Sequence, residues 1–463
     1  MALGTDPRRA TLLSRREVIR RTAAAFCGVG VLAAGCARDG ASTKPTVAQP
    51  TITLIWRPWT NFSPSLTQTA VKLMYEATAP FRAQNKGVDF KVITSGVQQQ
   101  TVDAILAGTG PDVFEDWELE VFTDSGVVLD LEPYMQKDSV DLSVMPSGMV
   151  DYIRAGSQYA ADGPGFYGMP DYLNTKAMAV NLGIVDNLGV ARPSPDWTYN
   201  DYAHYARITT SVQQQRTGAG FYWGSGHGNV ANAPGPWYLH AFGGGYVNPK
   251  NSMEGTMSAS GSIQWFTYMT ELMQQGAAVA DAGGHFRSGH QFTEAIGTAA
   301  SLMNAAQNWQ GVNWDIYPMP TGPAGRFTAA YPGFYAISAR TKYPAAAWEF
   351  VKWLCLGKTW QEFMIRLDLH GPILTALWTE WLSMAHAVAP PLLNKNLSVF
   401  VDQVQKNELW TGLPFRYADS NCGQIIGIYV TAMLNQQLSV PEACLKADLQ
   451  IAAYEQAAQQ SAG

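Results

Sequence analysis

The chain has 463 residues, 47% of them hydrophobic and 11% aromatic, enough apolar material for two packed domains or one large one. Its 31 basic and 37 acidic residues leave a net charge of −6, which excludes a nucleic-acid binder, since that needs a basic face. Five cysteines without a CxxC pair exclude a disulfide framework and a cysteine zinc site.

The first 35 residues read as an export signal. Six arginines precede a 13-residue apolar run, Thr22 to Ala34, too short for a spanning helix of about 20 residues. Ser14-Arg15-Arg16-Glu17-Val18-Ile19 resembles a twin-arginine export motif; the plainer reading is a basic leader with a chance pair. Leu32-Ala33-Ala34-Gly35-Cys36 resembles a lipobox, which implies a lipid on Cys36. Residues 36–50 are small, polar and Pro-containing and read as a flexible tether. Removing residues 1–35 takes the net charge to −10, which disfavours adsorption on anionic lipid. No later stretch is apolar over 18 residues, so no further span is expected.

Beyond the tether the chain alternates strands and helices. Thr51 to Ile55 reads as a buried strand, Leu66 to Gln84 as a helix with Pro80 in its last turn, and Phe90 to Thr94 as a strand. Thr101 to Leu106 reads as a short helix, and Asp112 to Phe114 as a third strand. This β-α-β-α-β order predicts a parallel sheet covered by helices. Further on, Ile263 to Gln275 and Ala345 to Leu356 read as helices, Asp315 to Met319 and Tyr331 to Ser338 as strands. Gln424 to Gln437 and Pro441 to Gln456 read as closing helices. Of the cysteines beyond Cys36, Cys422 and Cys444 are the candidates for a bridge, and buried thiols at Cys355, Cys422 and Cys444 are the simpler expectation.

The third strand ends in Glu115-Asp116-Trp117-Glu118, with Glu120 just beyond. Glu118 and Glu120 read as solvated charges at a helix start, which the helix dipole favours. Glu115 and Asp116 stand at the carboxyl end of the strand, where ligands bind in open α/β sheets. Two carboxyls here would also serve a glycosidase, but adjacent residues on a strand point to opposite sides. The chain has neither GxSxG nor HExxH, and its Gly108-Thr109-Gly110-Pro111-Asp112 lacks the Lys-Ser/Thr of a phosphate loop. His285 and His290 have no third metal ligand at readable spacing, and no metal or cofactor is expected. Trp and Tyr follow strands or sit in Gly/Pro loops, beside acids and amides. That is a toolkit for sugars: rings stack on C–H faces while acids and Asn take hydroxyl protons.

Several segments together resemble the extracellular solute-binding proteins of ABC importers, of the maltose-binding type. They are AGTGPDVF, GFYGMPDYLNTKAMAVN, ARPSPDWTYNDYAHYA, AASLMNAAQNW (as a strand followed by Trp), GFYAISARTKYPAAAWEFVKWL and TAMLNQQLSVPEACLKADLQ. The resemblance implies an α/β clamshell of two lobes, each a mainly parallel sheet flanked by helices. The expected lobes are 51–172 with 333–370, and 173–332 with 371–463. Hinges are expected near Pro170 to Asn174, Tyr331 to Gly333 and His370 to Pro372.

It further implies a sugar or oligosaccharide ligand held between the lobes, an ABC permease as partner, and no catalysis. The protein would be a monomer anchored through Cys36 on the outer face of the cytoplasmic membrane. The ligand-binding positions it implies are Trp56, Arg57, Trp59, Glu115, Asp116, Trp117, Asp171, Tyr172, Trp237, Trp309, Gly333, Phe334, Phe415 and Arg416. Asn308 stands where the family often has Gly before its tryptophan. Two alternatives remain open: a glycerol phosphate or glycerophosphodiester ligand, since Arg57, Arg154, Arg287 and Arg416 can bind phosphate, and a secreted glycoside hydrolase.

Overall fold

The computed structural model describes residues 52–58, 64–94, 98–160, 163–222, 234–250, 252–281, 285–412 and 420–462. The export signal, the tether, Cys36, Trp59, Phe415 and Arg416 lie outside the described residues.

The N-terminal β-α-β-α-β run is present. β1 (Ile52–Arg57), β2 (Val88–Val92) and β3 (Val113–Asp116) pair in parallel, with β1 in the middle. The helix expected over 66–84 is two helices, Pro64–Ala77 and Ala79–Gln84. Pro80 causes the break: it has no N–H to give, and its ring would strike the carbonyl four residues back. Thr78 closes the gap by donating its hydroxyl to the Tyr75 carbonyl at 2.7 Å.

Two long strands then extend the sheet. β9 (Thr328–Ile337) runs antiparallel to β3, and β4 (Met169–Asn181) runs antiparallel to β9. Thirteen residues of β4 span about 43 Å, enough to cross from one lobe to the other. Its far half pairs antiparallel with β7 (Thr293–Gly297) and β8 (Trp314–Tyr317). β10 (Leu409–Trp410) adds to the start of β9, and β5 (Ala219–Tyr222) pairs with β6 (Ala278–Asp281) in a small separate sheet. The expectation of a mainly parallel sheet in each lobe is therefore corrected. The main sheet is mixed, because β4 and β9 run side by side in opposite directions.

Each half has its own aromatic core. Trp56 meets Phe90, Phe350 and Trp360 edge-on at 5.1–5.8 Å. In the other half Tyr238 stacks on Trp265 at 4.9 Å, with Tyr199, Phe221 and Phe242 around it. Thr198 opens the Tyr199–Thr209 helix with a capping box to Asp201, and Trp197 donates its indole N–H to the Pro318 carbonyl at 2.8 Å. Cys355, Cys422 and Cys444 are buried and not in disulfides, so the candidate bridge between the last two is absent. Among the described residues no helix is long and apolar enough to cross a membrane.

Candidate functional site

At the end of β3 the chain assembles a buried polar cluster. Side chains alternate along a strand, so neighbours on β1 part company: Trp56 turns into the aromatic core, and Arg57 reaches Asp116. Arg57 Nη2 lies 2.9 Å from Asp116 Oδ2. Asp116 Oδ1 also accepts from the Trp117 backbone N–H at 2.8 Å and from Gln98 Nε2 at 3.3 Å. Burial raises the Asp116 pKa, while Arg57 and the backbone N–H groups of Trp117 and Glu118 oppose the rise.

Glu115 and Asp171 are held differently: the Arg57 charge acts on Glu115 without outweighing its burial. Asp171 is the extra residue of a bulge between Pro170 and Tyr172 where β4 passes β9. Glu115 Oε1 and Asp171 Oδ1 are both buried without a hydrogen-bond partner. Burial drives both carboxyls well above the usual range, and for Glu115 the charges of Asp171 and Asp116 add to it. The Tyr172 hydroxyl bonds Glu115 and pulls the other way. Tyr172 packs edge-on to His370 at 5.1 Å, whose pKa burial pushes down to about 4. Gly333 is needed here, because a Cβ at that position would overlap the Tyr172 ring. The cluster thus sits where β3, β9 and β4 meet, and Tyr172 also pairs with Pro372 in an isolated bridge.

A cavity of about 340 Å³ lies beside the far half of β4. Its wall is made by Lys176 of β4, Glu294 to Ile296 of β7, Tyr222 at the end of β5, the first turn of the Ala300–Asn308 helix, and Trp309. The Lys176 ammonium stands 4.1 Å from the centre of the Tyr222 ring. Ser301 and Asn304 add a hydroxyl and an amide. The cavity therefore offers two aromatic faces, a cation, a carboxylate and neutral donors and acceptors within one concave surface. Next to it on β4, Asn174 Oδ1 accepts from the Thr298 hydroxyl at 3.1 Å.

The sequence-predicted residues divide accordingly. Arg57, Glu115, Asp116, Asp171, Tyr172 and Gly333 come together at the strand junction. Their side chains are buried: Glu115 and Asp116 are 1% and 2% exposed. They cannot meet a ligand without movement of the strands around them. Trp117 is half-buried beside them. Trp56, Trp237 and Phe334 are buried among core side chains and do not line the cavity. Trp56 faces the Pro344–Leu356 helix, where it meets Phe350. Trp237 packs on Tyr238 and Tyr222, and Phe334 packs on Phe122.

Trp309 does line the cavity, but its setting differs from the expectation. Ala300 to Asn308, read as a strand before a tryptophan, is a helix; β7 precedes it. Trp309 is the C-cap of that helix and packs on Phe286 at 4.7 Å and Trp314 at 5.1 Å. The apolar spacing of Leu302, Met303 and Ala306 suits one helical face, a signal the strand reading passed over.

The solvated-charge reading of Glu120 is also corrected. Glu120 is buried on the short Leu119–Asp124 helix, its Oε2 has no partner, and burial pushes its pKa to about 8. Glu118 is pushed to about 7, again chiefly by burial. Lys176, Tyr222, Glu294, Ser301 and Asn304 were not singled out by the sequence. Lys176 carries the one available signal, a charge inside an otherwise apolar strand pattern.

Residues 63–355 match the family model described as bacterial extracellular solute-binding protein. The fold is similar to that of a cyclic α-maltosyl-1,6-maltose binding protein from Arthrobacter globiformis. The TM-score is 0.70 at 15% identity, covering 87% of this chain and 98% of that one. An ABC substrate-binding protein from Listeria monocytogenes, solved in complex with cycloalternan, gives a TM-score of 0.67 at 18% identity, covering 88% of this chain and 99% of its own. The GacH receptor of Streptomyces glaucescens, solved unliganded and in complex with acarbose, gives 0.59 at 19% identity, with 88% and 98% covered. At these identities the likeness is one of fold.

Proposed function

The chain belongs to the bacterial extracellular solute-binding proteins, and on that premise we propose that it captures a short oligosaccharide and delivers it to an ABC permease. The observation that carries this reading is the composition of the cavity of about 340 Å³. Ligand pockets run from about 300 to 1,000 Å³, so it fits a short saccharide or one end of a longer one. Tyr222 and Trp309 offer faces to C–H surfaces, Glu294 accepts from hydroxyls, and Ser301, Asn304 and Lys176 donate. The saccharides in the names of the fold relatives support the same class.

In this reading residues 51–172 with 333–370 form one lobe and residues 173–332 with 371–463 the other. They move about β4 near Pro170 to Asn174, β9 near Tyr331 to Gly333, and the segment His370 to Pro372. The closed form binds ligand more tightly than the open form, because only differential affinity shifts the equilibrium. Export through the signal at 1–35 and a lipid on Cys36 hold the protein, as a monomer, at the outer face of the cytoplasmic membrane. A phosphorylated polyol is less well supported, because Arg57 is engaged by Asp116 and Arg154 by Glu132. Hydrolysis is less well supported too, since Glu115 and Asp171 are enclosed in the strand junction.

Thermal unfolding with maltotriose, a cyclic glucan, glycerol 3-phosphate and glycerophosphocholine tests the reading. A ligand at 100 times its Kd stabilises the native state by about 2.7 kcal/mol, so a saccharide is expected to raise the midpoint. A rise with a phosphorylated polyol and none with any saccharide overturns the proposed ligand class.

A further inference from the structure

Six described residues other than glycine have a positive φ. Four of them, Ser139, Gln215, Asn407 and Gln436, are exposed. The other two, Ala299 and Leu369, are buried, and the Ala299 N–H donates to the Leu369 carbonyl at 2.9 Å. Leu369 ends the Lys358–Asp368 helix with φ 54° and ψ 31°. Ala299 precedes the Ala300–Asn308 helix with φ 59° and ψ −137°, a conformation natural to glycine. Side chains are kept in such regions only where the surroundings over-determine them.

The surroundings here are three separate pieces of chain. Thr298, next to Ala299, donates its N–H to the Thr175 carbonyl at 3.0 Å, and its hydroxyl accepts from the Thr175 N–H at 3.2 Å. On the Leu369 side, the Gly371 carbonyl accepts from the Leu173 N–H at 2.9 Å. Trp381 donates to the His370 carbonyl at 3.1 Å, and Trp378 to the Pro372 carbonyl at 3.0 Å. A Cβ on Gly371 would overlap the Leu173 carbonyl, so the two segments are pressed together. β4, the crossing segment and the β7–helix corner are thereby tied through two strained residues. The helix that leaves this corner carries Ala300, Ser301 and Asn304 of the cavity wall.

We propose that Ala299 and Leu369 are positioning residues for the ligand cavity. Their joined left-handed backbones fix where the Ala300–Asn308 helix begins, and so set Ser301 and Asn304 against Lys176 and Glu294. The same bond ties that helix to the His370–Pro372 crossing, so movement of the crossing is felt at the cavity. This rests on the cavity being the ligand site. Glycine at position 299 would relieve the strain, but it would also free the corner to take other conformations.

The test uses the full chain and compares wild type with Ala299→Gly, Ala299→Ser and Ser139→Gly. Amide exchange is read at Met303 to Asn308, and maltotriose binding by titration. Ala299→Gly is expected to keep or raise the thermal midpoint, to speed exchange in that helix about ten-fold and to weaken maltotriose by a similar factor. Ala299→Ser keeps the restriction imposed by a Cβ and is expected to match wild type in both readouts. Ser139→Gly relieves a positive φ far from the cavity and is expected to change neither. Wild-type exchange in Ala299→Gly, or the same change in Ala299→Ser, overturns the proposal. If wild type ignores maltotriose, the saccharide reading is what suffers, and the exchange arm still decides the role of Ala299.

Discussion

At the end of β3, Glu115 and Asp116 are enclosed among β1, β4 and β9. On β7, Glu294 is half-buried, and on the helix that follows Asn304 is exposed; both line one cavity. Both places combine acids, a cation and aromatics near strand ends. In the first, the cation is used up: Arg57 holds Asp116, and the remaining carboxyls are driven towards their neutral forms by burial. In the second, Lys176 lies over the Tyr222 ring and shares a cavity wall with Glu294, Ser301 and Asn304. The same residue types therefore close a strand junction in one place and line a cavity in the other, and enclosure decides which.

Three changes bear on that contrast. The largest effect is expected from Asp116→Ala. It leaves Arg57 buried without its carboxylate, and breaking a buried pair in this way costs about 3–5 kcal/mol. Urea unfolding measures it, and a loss under about 1 kcal/mol would place the pair among ordinary surface contacts.

Glu120 comes next. Burial holds its carboxyl at about 8 against the usual 4.5, so the folded protein keeps a proton that the unfolded chain gives up. Stability contributed by this group is intact below about pH 4.5 and is lost as pH rises to about 8. Glu118, at about 7, gives a slope of the same sign. Glu120→Gln is expected to remove its share of the decline between about pH 5 and pH 9. An unchanged slope in urea unfolding across that range would show that Glu120 does not keep its proton.

The smallest effect on stability is expected from Asn304→Ala. This exposed position should change the unfolding free energy by less than about 0.5 kcal/mol. Maltotriose affinity should still fall by about 0.5–1.5 kcal/mol, the net value of one hydrogen bond. If Asn304→Ala destabilises the fold and leaves binding intact, the two regions do not divide as described.

Much of this architecture is legible from local pattern. The opening β-α-β-α-β run follows from apolar runs of strand length between amphipathic helices, and Pro80 marks the helix break by its missing N–H. The Ala-rich Pro344–Leu356 helix matches its expected span to one residue, and the two closing helices are present with shifted ends, Ser420–Leu434 and Val440–Ala462. Glu115 and Asp116 are marked by their place at a strand end, Asp171, Tyr172 and Gly333 by resemblance alone, and the fold gathers all five at one junction. The mixed sheet was not legible, because nothing in β4 or β9 states which strand lies beside it. The burial of Trp56, Trp237 and Phe334 was not legible either, because an aromatic after a strand looks the same whether it faces a crevice or a helix.

The sequence by itself determined the classes of element, their order and the strand ends where polar groups collect, since these depend on periodicity and on turn residues within a few positions. Only the tertiary structure decided which polar groups are enclosed and which line a cavity. Lys176, Tyr222, Glu294, Asn304 and Trp309 lie as far as 133 positions apart along the chain and share one wall only because β4, β5 and β7 meet there. Burial, charge state and the joined backbones of Ala299 and Leu369 all arise from such long-range meetings, which local spacing does not encode.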